Sequence, residues 1–283
     1  MSNEEQIEYW NGEAGQRWAA FDSVMEKLLF PATEALLEHA DIGDSVSALD
    51  VGCGGGSQSL MLAESMTKDG KVLGIDISAP MLEVARAKLA QRPDGCATIE
   101  FQQADASTHP FEKDSFDLLF SRFGVMFFDD PVTTFSHLRP AMRSSAKLAF
   151  CCWQPLRDNP WTWLAVQAAL QHLPPPEPTD PHAPGPFAFA DPQRVESILR
   201  KSGFIDIQAE PRTLTLQFGD APTLPEAVRK LAQIGPLGRL LIGHDEATLA
   251  PVWASIEAAM APFYRDEALW LDAAIWLVTA RTA

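Results

Sequence analysis

Apolar residues run in two alternating periods along the first half of the chain. Residues 46–51 (VSALDV), 71–76 (KVLGID), 98–103 (TIEFQQ), 116–120 (FDLLF) and 147–153 (KLAFCCW) are short, apolar and β-branched or aromatic, which predicts strands. Between them, residues 57–66 and 79–91 carry helical spacing, with Ser78 as an N-cap and Pro80 in the first turn. Asp130–Pro131 opens another helix to about Leu138. Strand and helix in alternation, with near-continuous apolar strands, predict a parallel sheet covered by helices on both faces.

After Trp153 the pattern changes. A helix is expected at 161–173, followed by a Pro-rich loop, PPPEPTDPHAPGP, with no periodicity. A helix at 191–202 and strands at 204–209, 212–218 and 272–280 return to the sheet. Residues 223–265 read as mostly helical, broken at Gly235–Pro236 and at Gly238. Without an internal repeat or a Gly/Ser linker, the chain is expected to be one domain over 1–283. Within it, 155–186 and 219–265 form a cap.

The strongest chemical signal is Asp50-Val-Gly52-Cys-Gly54-Gly55-Gly56, between a strand and a helix. An ordinary turn does not need four glycines in five positions. Glycines here let the backbone turn sharply and approach a ligand, and the helix start offers free N–H groups. The dinucleotide fingerprint G-x-G-x-x-G/A fails, because Ser57 stands at its last position counted from Gly52. A carboxylate beside the loop repels a pyrophosphate and suits an ammonium group.

DVGCGGG resembles motif I of the class I S-adenosylmethionine-dependent methyltransferases. The wider pattern is similar to their small-molecule branch, which includes the ubiquinone/menaquinone C-methyltransferases. The resemblance implies a Rossmann-like α/β sheet of seven strands with an antiparallel last strand, matched here by 272–280. It implies a cofactor core over 45–153, with residues 1–30 closing over it as a lid. It places Asp50, Gly52 and Gly54 at the methionine end of S-adenosylmethionine, Asp76 on the ribose hydroxyls, and Ile77 and Met81 near the adenine. Asp105 would accept from the adenine amino group, and Ser121 would lie under the methionine. Trp10, Arg17 and Trp18, in YWNGEAGQRW, would close the site, with Arg17 on the cofactor carboxylate. The product would be S-adenosylhomocysteine.

Methyl transfer requires alignment and dryness more than a fixed catalytic triad. Substrate contacts are therefore sought among aromatics: Tyr9, Phe123, Phe127, Trp153, Trp161 and Phe187. Arg122 could face cofactor or acceptor. No histidine is assigned a catalytic role, and no metal is expected.

Charge narrows the partners. Lys plus Arg is 22 against 38 Asp plus Glu, a net charge of −16. That balance argues against nucleic acid and for a small-molecule acceptor. Four cysteines are too few for a disulfide scaffold, and the adjacent Cys151 and Cys152 read as buried and structural. The acidic N-terminal segment lacks a signal-like apolar stretch, and no run approaches about 18 apolar residues. A cytoplasmic setting is expected. Two rival readings are an S-adenosylmethionine sensor without turnover and, on the glycine loop alone, a nicotinamide-dependent oxidoreductase.

Overall fold

The computed structural model describes residues 3–43, 47–93, 97–177, 180–218 and 221–283. Val46 of the first expected strand, Pro178–Thr179 of the Pro-rich loop and Gly219–Asp220 of the cap lie outside the described residues.

Three helices open the chain: α1 (Asn3–Asn11), α2 (Glu13–Ala20) and α3 (Asp22–Ala40). The alternating core follows as β1 (Ser47–Val51), α4 (Ser57–Glu64), β2 (Lys71–Asp76), α5 (Ala79–Leu89), β3 (Thr98–Gln103), β4 (Phe116–Arg122), α6 (Pro131–Leu138) and β5 (Met142–Trp153). Then come α7 (Pro160–Ala169), α8 (Pro192–Lys201), β6 (Phe204–Phe218), α9 (Leu224–Leu231), α10 (Pro236–Leu241), α11 (Glu246–Met260), β7 (Tyr264–Arg265) and β8 (Ala268–Thr282).

The sheet runs β3-β2-β1-β4-β5-β8-β6, with the short β7 hydrogen-bonded to β8. The first five of these strands are parallel; β8 is antiparallel to both neighbours. This is the seven-strand plan with an antiparallel last strand, plus a two-residue hairpin arm. Leu118, Leu119, Phe120, Leu148, Ala149 and Phe150 on the central strands are fully buried, as continuous apolar strands in a two-sided sheet must be.

Local chemistry sets the helix starts. Ser78 accepts from Met81 N, Asp130 from Thr133 N and Asp191 from Gln193 N, each followed by proline in the first turn. Two expectations change. Residues 204–218 form one strand rather than two, because β6 is an edge strand and tolerates Pro211, which pairs with Trp276 on its one hydrogen-bonded side. Gly238 lies inside α10; the left-handed glycine that follows that helix is Gly243. At the front, α3 is a core helix along its length: Leu28, Ala32 and Leu36 are buried against the sheet. The segment lying over the strand ends is α1–α2.

Cys151 and Cys152 are fully buried, and burial pushes the Cys151 thiol up to about 12. Among the described residues, no helix is long and apolar enough to cross a membrane.

Candidate active site

The glycine loop leaves β1 at its C-terminal end. Gly52 and Cys53 both donate their N–H to Ile75 O, at 2.9 and 3.0 Å. Gly52 has φ +70°, and a Cβ there would lie 2.8 Å from Gly124 Cα, so this position accepts only glycine. Gly54 N donates to Asp76 Oδ2 and Ser78 N to Asp76 Oδ1, both at 2.8 Å. Asp76 therefore ties the loop to the end of β2. Burial raises its pKa, and the backbone donors Ser78, Gly54 and Ile77 oppose that rise.

A cavity of about 490 Å³ lies along these strand ends. At one end it is walled by Gly52, Cys53, Gly54, Asp76, Ile77, Met81 and Asp105. Gln6, Trp10 and Trp18 of the N-terminal helices form part of its roof. The roof is held by polar contacts. Asn3 Nδ2 donates to Asp105 Oδ2 at 2.6 Å, and Ser78 Oγ donates to Trp10 O at 2.7 Å. Asn11 bonds both Ile77 O and Ala79 N. Partial burial opposes ionisation of Asp105, but donors from Ser107, Asn3 and Thr108 outweigh it and hold the carboxyl below its ordinary value.

Charge gathers beneath the loop. Lys88 Nζ bridges Asp22 at 2.6 Å and Glu26 at 2.7 Å, and reaches Ser57 Oγ. Asp22 and Glu26 line the cavity, as does Arg122. Arg122 Nη1 donates to Thr33 Oγ1 at 2.8 Å, while its buried Nε has no partner among the described residues. Burial lowers the Arg122 pKa; neighbouring Asp50, Asp22 and Glu26 support its charge.

The far end is aromatic. Phe123, held at φ +60°, stacks on Trp153 with centroids 4.2 Å apart and planes 10° apart. Left-handed backbone is costly for a bulky residue and clusters at functional sites. Trp153 meets Trp161 at 5.4 Å, and Trp161 stacks on Phe218 at 5.8 Å. Phe127 stands edge-on to Trp10 at 5.6 Å. Asn159 anchors this end: its Oδ1 accepts from Trp161 Nε1 and from Ala274 N of β8.

Of the residues singled out in the sequence, Gly52, Gly54, Asp76, Ile77, Asp105, Trp10, Trp18, Phe123, Phe127, Trp153, Trp161 and Phe187 line this one cavity. Four do not. Asp50 is fully buried beneath the loop and accepts from Ser59 Oγ at 2.5 Å; burial pushes its pKa up to about 7, against the Ser59 bond and Arg122. Ser121 is also fully buried, and its Oγ donates to Val51 O at 2.7 Å, because the side chain preceding Arg122 faces the other way along the strand. Tyr9 packs edge-on against Trp10 from outside the cavity. Arg17 is exposed on α2 and lines a separate groove.

Asp22, Glu26, Asn159 and Phe218 were not anticipated. Asp22 and Glu26 face Lys88 from a helix whose residues carry no motif, so the sequence offers no local signal for them. None of the six histidines lines the cavity.

Residues 48–145 match the methyltransferase domain family. Nocamycin O-methyltransferase of Saccharothrix syringae is 26% identical over 212 residues, covering 72% of this chain and 75% of that protein. Demethylmenaquinone methyltransferase of Lactococcus lactis is 36% identical over 103 residues, covering 36% of this chain and 40% of that protein. Phosphoethanolamine N-methyltransferase 2 of Haemonchus contortus, solved with S-adenosylhomocysteine, shares the fold at a TM-score of 0.58 and 17% identity, covering 97% of this chain and 59% of that one. With the glycine loop and sheet order above, these likenesses make residues 48–145 a methyltransferase domain and support a class I, S-adenosylmethionine-dependent methyltransferase of the small-molecule type.

Proposed function

We propose that the chain moves a methyl group onto a small, largely apolar or aromatic acceptor held in the chamber of Phe123, Trp153, Trp161, Phe187 and Phe218. One observation supports this most: a single cavity carries the glycine loop with Asp76 and Asp105 at one end and stacked aromatics at the other.

The residues present fit the cofactor. Left-handed Gly52 and Gly54 leave a cradle without Cβ atoms, and Arg122 Nε is buried without a partner. Bound there, S-adenosylmethionine supplies a methyl group on a sulfonium, open to in-line displacement by an acceptor atom. Asp76 accepts from the ribose hydroxyls; each of its oxygens already takes one backbone N–H and keeps a second lone pair. Asp105 would take the adenine amino group in exchange for one of the donors it now holds, such as Asn3 Nδ2, and Ile77 and Met81 would flank the ring. Arg122, the one Lys or Arg among the described lining residues, faces the cofactor carboxylate in place of Arg17. Asp22 and Glu26 balance the ammonium. Trp10 and Trp18 exclude water, and the aromatic faces attract the sulfonium cation.

The wall offers no imidazole to act as a base. Asp130 also lines it, but its carboxylate caps α6 through Thr133, which holds its pKa below the ordinary value. This favours acceptors that are nucleophilic or readily ionised without help, such as phenols and enols. The test is transfer of labelled methyl from S-adenosylmethionine across a panel of phenols, quinols, amines and thiols. Label on a phenol or quinol is expected. Tight S-adenosylhomocysteine binding with no transfer to any of them would favour a protein that binds the cofactor without turnover.

A further inference from the structure

The chain is strongly acidic, yet one groove on it is basic. This second hollow, of about 530 Å³, is lined by Arg17, Lys27 and Lys230 and, among its described lining residues, by no acid at all. With 38 acidic against 22 basic side chains in the whole chain, such a surface is against the odds of its composition. Among the described residues, neither Arg17 nor Lys27 forms an ion pair, although both are exposed. Arg17 and Lys27, both without an ion pair and both lining a concave site, attract anions from a distance, and low-dielectric walls focus the field.

The groove is also joined to the acceptor chamber. Five residues line both spaces, among them Trp18, Phe218 and Ile234. The two spaces thus share a wall. Phe218 stacks on Trp161 on the chamber side and also lines the groove. The floor of the groove is apolar, and exposed Phe21 continues that surface outward. A ligand that fills both spaces needs an apolar or aromatic body, an apolar arm and an anionic end.

We propose that this groove is the anion subsite and entrance of the acceptor chamber, and that the acceptor carries a carboxylate or phosphate on an apolar arm. The inference rests on the methyltransferase reading above and names the acceptor class within it. It also gives Arg17 a role. On α2 its side chain is turned from the cofactor cavity and stands at the mouth of the groove. The N-terminal helices then serve both ligands: Trp10 and Trp18 face the cofactor cavity, and Arg17 faces the acceptor's charge.

Three probes of one length test it: phenyloctanoate, phenyloctyl phosphate and phenyloctanol, each titrated calorimetrically into the full chain with and without saturating S-adenosylhomocysteine. At low salt one or both anions should bind at least about tenfold tighter than the alcohol, and the preference should shrink at high salt. The Arg17→Gln/Lys27→Gln double variant should bind all three alike, while its affinity for S-adenosylhomocysteine reports that the cofactor end is intact. Preference for the carboxylate or the phosphate names which anion the groove takes. An alcohol that binds as tightly as both anions, anions that do not bind, or a double variant that keeps the anion preference would each overturn the proposal. Failure of S-adenosylhomocysteine to bind would instead strike the cofactor reading, with the anion preference still read from the cofactor-free titrations.

Discussion

The two ends of the cavity are built on different principles. The proposed cofactor end is made of backbone: a loop whose glycines adopt left-handed φ, stitched to β2 by Asp76 and underlain by the buried carboxyl of Asp50, by Arg122 and by the part-exposed Asp22–Glu26–Lys88 cluster. The proposed acceptor end is made of side chains, a stack of rings running Phe123–Trp153–Trp161–Phe218 without a charge among them. The first end fixes residue identity, because only glycine fits and only a carboxylate ties. The second fixes shape, and many ring combinations can give a similar shape. A protein built this way can keep its cofactor chemistry while its acceptor changes.

The contrast predicts that pH dependence of stability originates at the cofactor end. Asp50 has a folded pKa of about 7 against an ordinary 3.8, because burial penalises its charge. Its protonated form is favoured in the fold, so its contribution is complete below about pH 4 and is lost as pH rises through about 7. A shift of that size corresponds to roughly 4 kcal/mol. Asp50→Asn should therefore be more stable than the parent at about pH 8, with the gain vanishing toward about pH 4. Denaturant unfolding across that range reads it, and a difference that does not grow with pH would contradict the assignment.

Gly52→Ala comes next. The left-handed backbone costs an alanine about 1–2 kcal/mol, and its Cβ would overlap the Gly124 backbone. S-adenosylhomocysteine affinity should fall at least about thirtyfold. Deleting residues 1–18 removes Trp10, Trp18 and the Asn3–Asp105 bond, and should weaken that affinity about tenfold, or about 1.4 kcal/mol. Unchanged affinity would count against the lid. The smallest effect is expected from Trp161→Phe, which loses the hydrogen bond to Asn159, about 1 kcal/mol. It should raise the KM of a methyl acceptor several-fold and leave cofactor affinity within twofold. An equal loss at both ends would mean they are not separable.

The same contrast explains what could be read from sequence. The glycine loop, the strand-ending Asp76 and Asp105 in the turn after β3 are legible because special backbone conformations and strand ends restrict residue type locally. The five parallel strands are legible from apolar runs. Direction around a helix or strand is harder to read without the neighbours. Arg17 and Trp18 are adjacent in sequence and both line the groove, yet only Trp18 also reaches the cavity, and Ser121 and Arg122 divide between the β1 backbone and the cavity. Asp22 and Glu26 gain meaning only beside Lys88, 62 residues from Glu26. The aromatic residues after Trp153 can be named as candidates, but their stacking depends on a cap fastened to the sheet through Asn159.

The most direct test is a calorimetric titration of S-adenosylhomocysteine into the parent chain, Asp76→Ala and Trp161→Phe, with NAD as the control ligand. The account predicts micromolar binding to the parent, at least a tenfold loss in Asp76→Ala, no loss in Trp161→Phe and no response to NAD. Binding of NAD instead, or an Asp76→Ala variant that binds like the parent, would contradict it.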